Sequence, residues 1–194
     1  MAAEALEANV RESFGKVVHS HKTHEKMVDQ LNDRICLVKW SKLVLLIVTT
    51  GAIVTNIFNF FDLGVLDDIF TATISSMALG LTIYQMSLNQ EKMVHEHKRS
   101  MHRLWAIRED YANLIADIHD NTISEKEARA KRDSLLQRLG AVYADCPDTN
   151  YEACEAARKD LKIDEEMIFS AQEIDQFLPA PLRQAKQLTL GGYR

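Results

Sequence analysis

Two runs without a charged side chain, held apart by a short acidic turn, constrain this chain more than any other feature. No Asp, Glu, Lys or Arg occurs from Leu43 to Phe61, and none from Ile69 to Gln90. Between the runs lies Asp62-Leu-Gly-Val-Leu-Asp-Asp68. A helix rises ~1.5 Å per residue, so each run reaches roughly the 30 Å of a bilayer hydrocarbon core. The turn leaves room only for an antiparallel hairpin. The expectation is an all-α membrane protein with spans over 43–61 and 69–89 and a turn over 62–68. The alternative, a hairpin buried in a soluble bundle, fits less well, because charge-free runs of this length are rarely soluble cores.

Average composition hides this division. A hydrophobic content of 46%, a mean hydropathy of −0.20 and a net charge of −5 resemble those of a soluble protein. Residues 1–42 and 90–194 are dense in charge of both signs, which argues against nucleic acid as the principal ligand. Cys36, Cys146 and Cys154 are odd in number and sit in charged, helix-like segments, consistent with a reducing compartment rather than a disulfide framework. The first apolar run starts late and is too long for a signal peptide, so it reads as an uncleaved anchor. Lys22, Lys26, Arg34, Lys39 and Lys42 precede it, and Lys92, Lys98, Arg99 and Arg103 follow the second run. The turn carries only Asp62, Asp67 and Asp68, so the positive-inside bias places both termini in the cytoplasm.

Outside the runs the pattern is helical. Seven Gly, three Pro and no alternating β-branched stretch leave little to break a helix. Apolar positions from Val17 to Val38 recur at three-to-four spacing over a cytoplasmic helix spanning 1–42, which runs without a breaker into the first span. The helix after the second span continues over 90–122 through Met93, Met101, Leu104, Trp105, Tyr111, Ile115 and Ile118, and the two long extensions pack together as in a coiled coil. Short bracing helices fill 123–183: Ser124 with Glu127, Thr149 with Glu152, and Ser170 with Glu173 are capping-box pairs, and Cys146-Pro147 and Leu178-Pro179 are stops. Residues 184–194 form a loose tail.

Several segments together resemble a known family. They are His21-Lys-Thr-His24-Glu25-Lys26, Leu104-Trp-Ala-Ile-Arg-Glu109, Ser124 to Asp133 with Leu139 and Tyr143, and Glu165 to Pro179 with Leu182-Arg183. In order and spacing they resemble the SLATT family, the two-transmembrane effectors associated with SMODS nucleotide synthases and SLOG sensor domains. The resemblance covers roughly residues 10–185. It implies a pore-forming or membrane-disrupting effector of a bacterial antiviral conflict system, in the bacterial inner membrane, triggered by a nucleotide second messenger or a separate sensor protein. It supplies no pore-lining residues by position.

Two helices cannot enclose a channel, so conduction requires a homo-oligomer in the lipid bilayer. The second span carries Thr71, Ser75, Ala78, Thr82, Gln85 and Asn89 along one stripe, and the first carries Thr49, Ala52, Asn56 and Asn59 in the same rhythm. Buried amides are costly in hydrocarbon unless bonded to a neighbouring helix or to water. The pore-lining candidates are therefore Thr71, Ser75, Thr82, Gln85 and Asn89, with Thr49, Asn56 and Asn59 second. Helix adhesion competes for the same polar groups, yet Ala72, Ser76 and Gly80 supply a small-residue packing face of their own. Asp62, Asp67 and Asp68, repeated around an oligomer, would make an acidic outer ring; a merely solvated turn explains them equally well.

All seven histidines fall in the two long extensions. His21 and His24 share a helical face, and so do His95 and His102, which raises a metal site or a pH-responsive contact as options. No carboxylate or cysteine set completes a metal shell, so neither metal nor cofactor is assigned. Trp40 reads as an interfacial anchor. No phosphate loop, nucleophile elbow or α/β pattern points to an enzyme. A non-conducting scaffold that recruits partners through its cytoplasmic helices is the first alternative function. The second is a regulated cation channel, because the same element order describes the mitochondrial calcium uniporter; the turn lacks that family's Trp-Asp-x-x-Glu-Pro pattern.

Overall fold

The computed structural model describes residues 2–58, 65–87, 89–161 and 170–183, with the side chains at 2, 3, 48–58, 65–68, 70, 71, 74, 75 and 85–87 outside the description. Every element among them is helical. In chain order they are α1 (Ala2–Phe58), α2 (Val65–Ser87), α3 (Gln90–His119), α4 (Glu125–Asp145), α5 (Tyr151–Leu161), α6 (Ala171–Phe177) and a 3-10 turn at Ala180–Leu182. The all-helical class follows from the sequence as expected, and α1 continues without interruption from the charged N-terminal segment into the first charge-free run.

Residues group into two compact units: Met1–Val28 with His95–Arg194, and Asp29–Val94. The first is a helical bundle with one continuous core. Leu6, Val10, Phe14, Val17 and Val18 of α1 meet Leu104, Ile107, Tyr111, Leu114 and Ile115 of α3. Ala128, Leu135, Leu139 and Val142 of α4 close a second side, and Ile174 of α6 with the following Leu178 seals the end. The α3 stripe advances by threes and fours, as a helix packed along one face must. Burying each aliphatic side chain stabilises this unit by about 1.5–3 kcal/mol before entropy is counted.

Local chemistry sets the helix ends. Ser124 and Ser170 each accept from the backbone N–H three residues on, while Glu127 and Glu173 accept from the cap residue's own N–H, so both expected capping boxes form. The expected box at Thr149 does not form. Asn150 caps α5 instead, its side-chain oxygen accepting from Ala153 N–H at 2.7 Å. Asparagine outranks threonine as an N-cap, which accounts for the one-residue shift. α3 ends at His119, and Asn121 takes a left-handed φ of 53° to turn the chain toward α4. α4 stops at Cys146-Pro147.

Interelement ties are ionic as well as apolar. Arg11, 3% exposed, donates to the Asp175 carboxylate and, at 3.0 Å, to the Leu182 carbonyl, which fastens the C-terminal turn to α1. Lys26 binds Asp160 at 2.6 Å and Lys22 reaches it at 3.5 Å, holding α5 on α1. Ser20 and Tyr143 share a hydrogen bond of 2.9 Å between α1 and α4.

The second unit comprises the rest of α1, α2 and the start of α3. A continuous helix from the second run into 90–122 does not form: α2 ends at Ser87, and Asn89 stands outside the helix before α3 opens at Gln90. Asn side chains compete with the helix for backbone groups, a sound reason for the break at Asn89. The Asn89 carbonyl nevertheless accepts from Met93 N–H at 3.0 Å and so starts the ladder of α3. Among the described residues no helix is long and apolar enough to cross a membrane. Both charge-free runs extend into residues outside that description: 59–64 and 88, and the side chains of 48–58 and 85–87.

Candidate functional site

Two places bring functional candidates together: the charge-free helices of the second unit and the histidines of the first. In the second unit, Leu43, Val44, Leu46 and Ile47 of α1 and Ile69, Met77, Leu79, Ile83 and Tyr84 of α2 are all exposed. Trp40 is 62% exposed just ahead of them. This many large apolar side chains facing outward on adjacent turns is far beyond the scattered exposure of a water-facing helix.

The expected pore stripe is described in part. Thr71, Ser75, Thr82 and Gln85 all lie on α2, and Thr49 and Asn56 lie on α1; of these only the Thr82 side chain is described. Asn59 and Asp62 fall outside the described residues, and Asp67 and Asp68 fall in the first turn of α2 with side chains not described. Thr82 is half-buried, and its hydroxyl donates to the Ala78 carbonyl one turn back at 2.8 Å. Ser76 does the same to Ala72 at 2.8 Å, and Thr73 to Ile69 at 2.7 Å. Back-bonding of this kind satisfies the hydroxyl proton inside its own helix. The Thr82 proton is therefore satisfied within α2, while its oxygen can still accept, and the larger need for a polar neighbour lies with the amides. Asn89 is exposed at the joint between α2 and α3.

The small-residue face is open. Ala72, Ser76 and Gly80 are all exposed, and a methyl group added at Gly80 would meet no described heavy atom within 4 Å. Nothing in the described part of a single chain uses the close approach that these residues permit.

The histidines are arranged differently from the sequence expectation. His95 and His102 are exposed. The inward-facing histidine of α3 is His97, fully buried, which meets His24 of α1 with the two Nδ1 atoms 2.8 Å apart. The signal for it was present: stepping back from Tyr111 through Ile107 and Leu104 by threes and fours lands on Ser100, His97 and Val94, all buried. Met93 and Trp105, read as stripe positions, are 39% and 50% exposed. Burial, then the His97 charge, then His21 push the His24 ring down to about 4, and burial lowers His97 as well against the nearby Glu96. His19 is separate, with Nε2 3.8 Å from the Cys154 thiol at the edge of a cavity of about 270 Å³ that Tyr143 and Cys146 also line. Among the described residues no group of three or more His, Cys, Asp or Glu is placed to hold a metal ion.

Residues 6–173 match the SMODS and SLOG-associating 2TM effector domain family 4. The chain belongs to this SLATT family. No curated protein and no solved structure matches it. The match takes in α1 through the Ser170–Glu173 capping box, so the bundle and the apolar helices both belong to the effector domain. Its general kind of role is that of an effector in conflict systems.

Proposed function

We propose that this effector domain is a two-span protein of the bacterial inner membrane, with both termini cytoplasmic, that oligomerises and permeabilises the bilayer when a nucleotide signal or a partner sensor releases it. The observation that carries the reading is the outward-facing apolar surface of α1 and α2, from Leu43 to Ile47 and from Ile69 to Tyr84. Lipid is the solvent that such a surface suits, and the family description supplies two such segments. The open Ala72–Ser76–Gly80 face supports close contact between copies, and the amides of Gln85, Asn89 and Asn56 are the groups that most need water or a neighbouring copy. The long helices of the bundle would hold the spans at rest, and a shift in their packing would open the polar stripe.

The decisive experiment reconstitutes the purified chain, with the cellular trigger, into dye-loaded liposomes and planar bilayers. Dye release and stepwise currents are expected. Intact liposomes with silent bilayers, under every trigger that activates the system in cells, would sink the pore.

A non-conducting membrane scaffold is the second reading. It is favoured by Thr82 and Ser76, whose hydroxyls are already bonded within α2. Under that reading Gln85→Leu leaves cellular activity intact; under the pore reading it does not. Neutralising Asp62, Asp67 and Asp68 separates both from a cation channel, whose selectivity alone would collapse.

A further inference from the structure

His24 and His97 form the most enclosed polar contact between the two long helices. His24 is 4% exposed and His97 is fully buried. Their ring centroids lie 5.1 Å apart at 45°, with Nδ1 facing Nδ1 at 2.8 Å. A contact between two Nδ1 atoms holds with one proton between them, so one ring donates and the other accepts. The far nitrogen of His97, Nε2, is buried and has no hydrogen-bond partner among the described residues. The hydroxyl protons of the buried Thr23 and Ser100 are used within their own helices: Thr23 donates to the His19 carbonyl at 2.9 Å, and Ser100 to the Glu96 carbonyl at 3.1 Å.

Another proton is poorly accommodated inside the bundle. Added to the accepting Nδ1, it sets N–H against N–H and the contact is lost. Added to His97 Nε2, it creates an enclosed cation with no hydrogen-bond partner among the described residues, an unfavourable state for any buried charge. Added to His24 Nε2, it charges a ring that is 4% exposed. Each placement is disfavoured in the interior and relieved when the rings leave it.

We propose that the His24–His97 contact is a proton-binding site that works as an acid-released latch between α1 and α3, closed while both rings are neutral and opened by uptake of a proton. Its surroundings agree. On α1, His21 is the neighbour whose charge acts on His24, and His19 lines the same cavity without acting on it. From α4 and α5, Tyr143, Cys146 and Cys154 face the cavity beside His24, together with Asp148 of the connecting loop. Glu96 is the acidic group beside His97, and it opposes the release. His24 lies shortly before Val28 and His97 shortly after Val94, where both long helices leave the bundle, so the latch closes the bundle at that end. The inference concerns the α1–α3 contact and holds whether or not the spans conduct.

Hydrogen exchange of the full chain in lipid nanodiscs, followed by mass spectrometry at about pH 7.5 and about pH 5 with intrinsic rates corrected, tests it. Wild-type peptides covering residues 17–28 and 95–104 should exchange at least about tenfold faster at the lower pH. The double variant His24→Asn, His97→Asn keeps an amide near each Nδ1 position without titrating, and it should exchange alike at both pH values. His19→Asn should respond as the wild type does. Unchanged wild-type protection, or a double variant that still responds, overturns the latch. Should the double variant fail to fold, ring ¹⁵N spectra of the wild type decide: two of the seven histidines titrate together below the rest, whereas seven independent titrations at the ordinary value overturn it.

Discussion

Arg11 brings a full positive charge into the interior of the bundle, and its partners determine whether that is tolerable. The Asp175 carboxylate and the Leu182 carbonyl both accept from it, and Asp175 is itself 4% exposed. Removing Asp175 leaves the buried Arg11 charge with only Glu7, at 3.5 Å, and the Leu182 carbonyl. Asp175→Ala should therefore cost about 3–5 kcal/mol in chemical denaturation, while the paired replacement Arg11→Met, Asp175→Leu recovers most of the loss. His24 adds a pH term whose sign is fixed by the direction of its shift. The folded ring titrates at about 4 against 6.5 when free, so the unfolded chain binds more protons between those values. The stabilisation is complete above pH 6.5, declines as pH falls through that window and is gone below 4. It amounts to about 3 kcal/mol at most, and urea midpoints measured across the window should fall with pH and flatten in His24→Asn.

Element ends carry smaller and more local effects. Asn150, not Thr149, receives the first free N–H of α5, so Asn150→Ala should lower stability by about 1 kcal/mol in thermal melts while Thr149→Ala changes little. The sequence itself showed the helix type, the continuity of α1, two of the three capping boxes and the stop at Cys146-Pro147, because these are set by neighbours along the chain. It did not show Asn150 over Thr149, since adjacent polar residues both qualify as caps and only the turn geometry chooses. His97 was passed over because a histidine reads as polar, and its burial depends on a partner 73 positions away. Arg11 was missed for the same reason, its partner Asp175 lying 164 positions on. In α2 spacing alone did not show that Thr82 and Ser76 turn their hydroxyls back on their own helix. Thr82→Val should consequently leave bilayer currents within about twofold of wild type, whereas Gln85→Leu lowers them several-fold.

At the scale of the whole molecule, the first unit is assembled from both ends of the chain, with Asp29–Val94 between its parts. Under the proposed pore, mass measurement of the detergent-extracted complex should return a closed ring of several copies rather than a monomer or dimer, because two helices per copy would enclose nothing alone. The discontinuous bundle also has a consequence in time. A ribosome delivers α1 and the apolar helices long before Ile174 and Leu178, the residues that seal the core around Leu6 and Val10. At about 5–20 residues per second, the gap between Arg11 and its partner is roughly 10–30 s of synthesis. Throughout that interval the apolar helices are present with no finished bundle beside them. Under the proposed function, restraint of the effector therefore arrives last, and a stop codon ahead of α6 would release a chain that has its apolar helices but lacks its clasp.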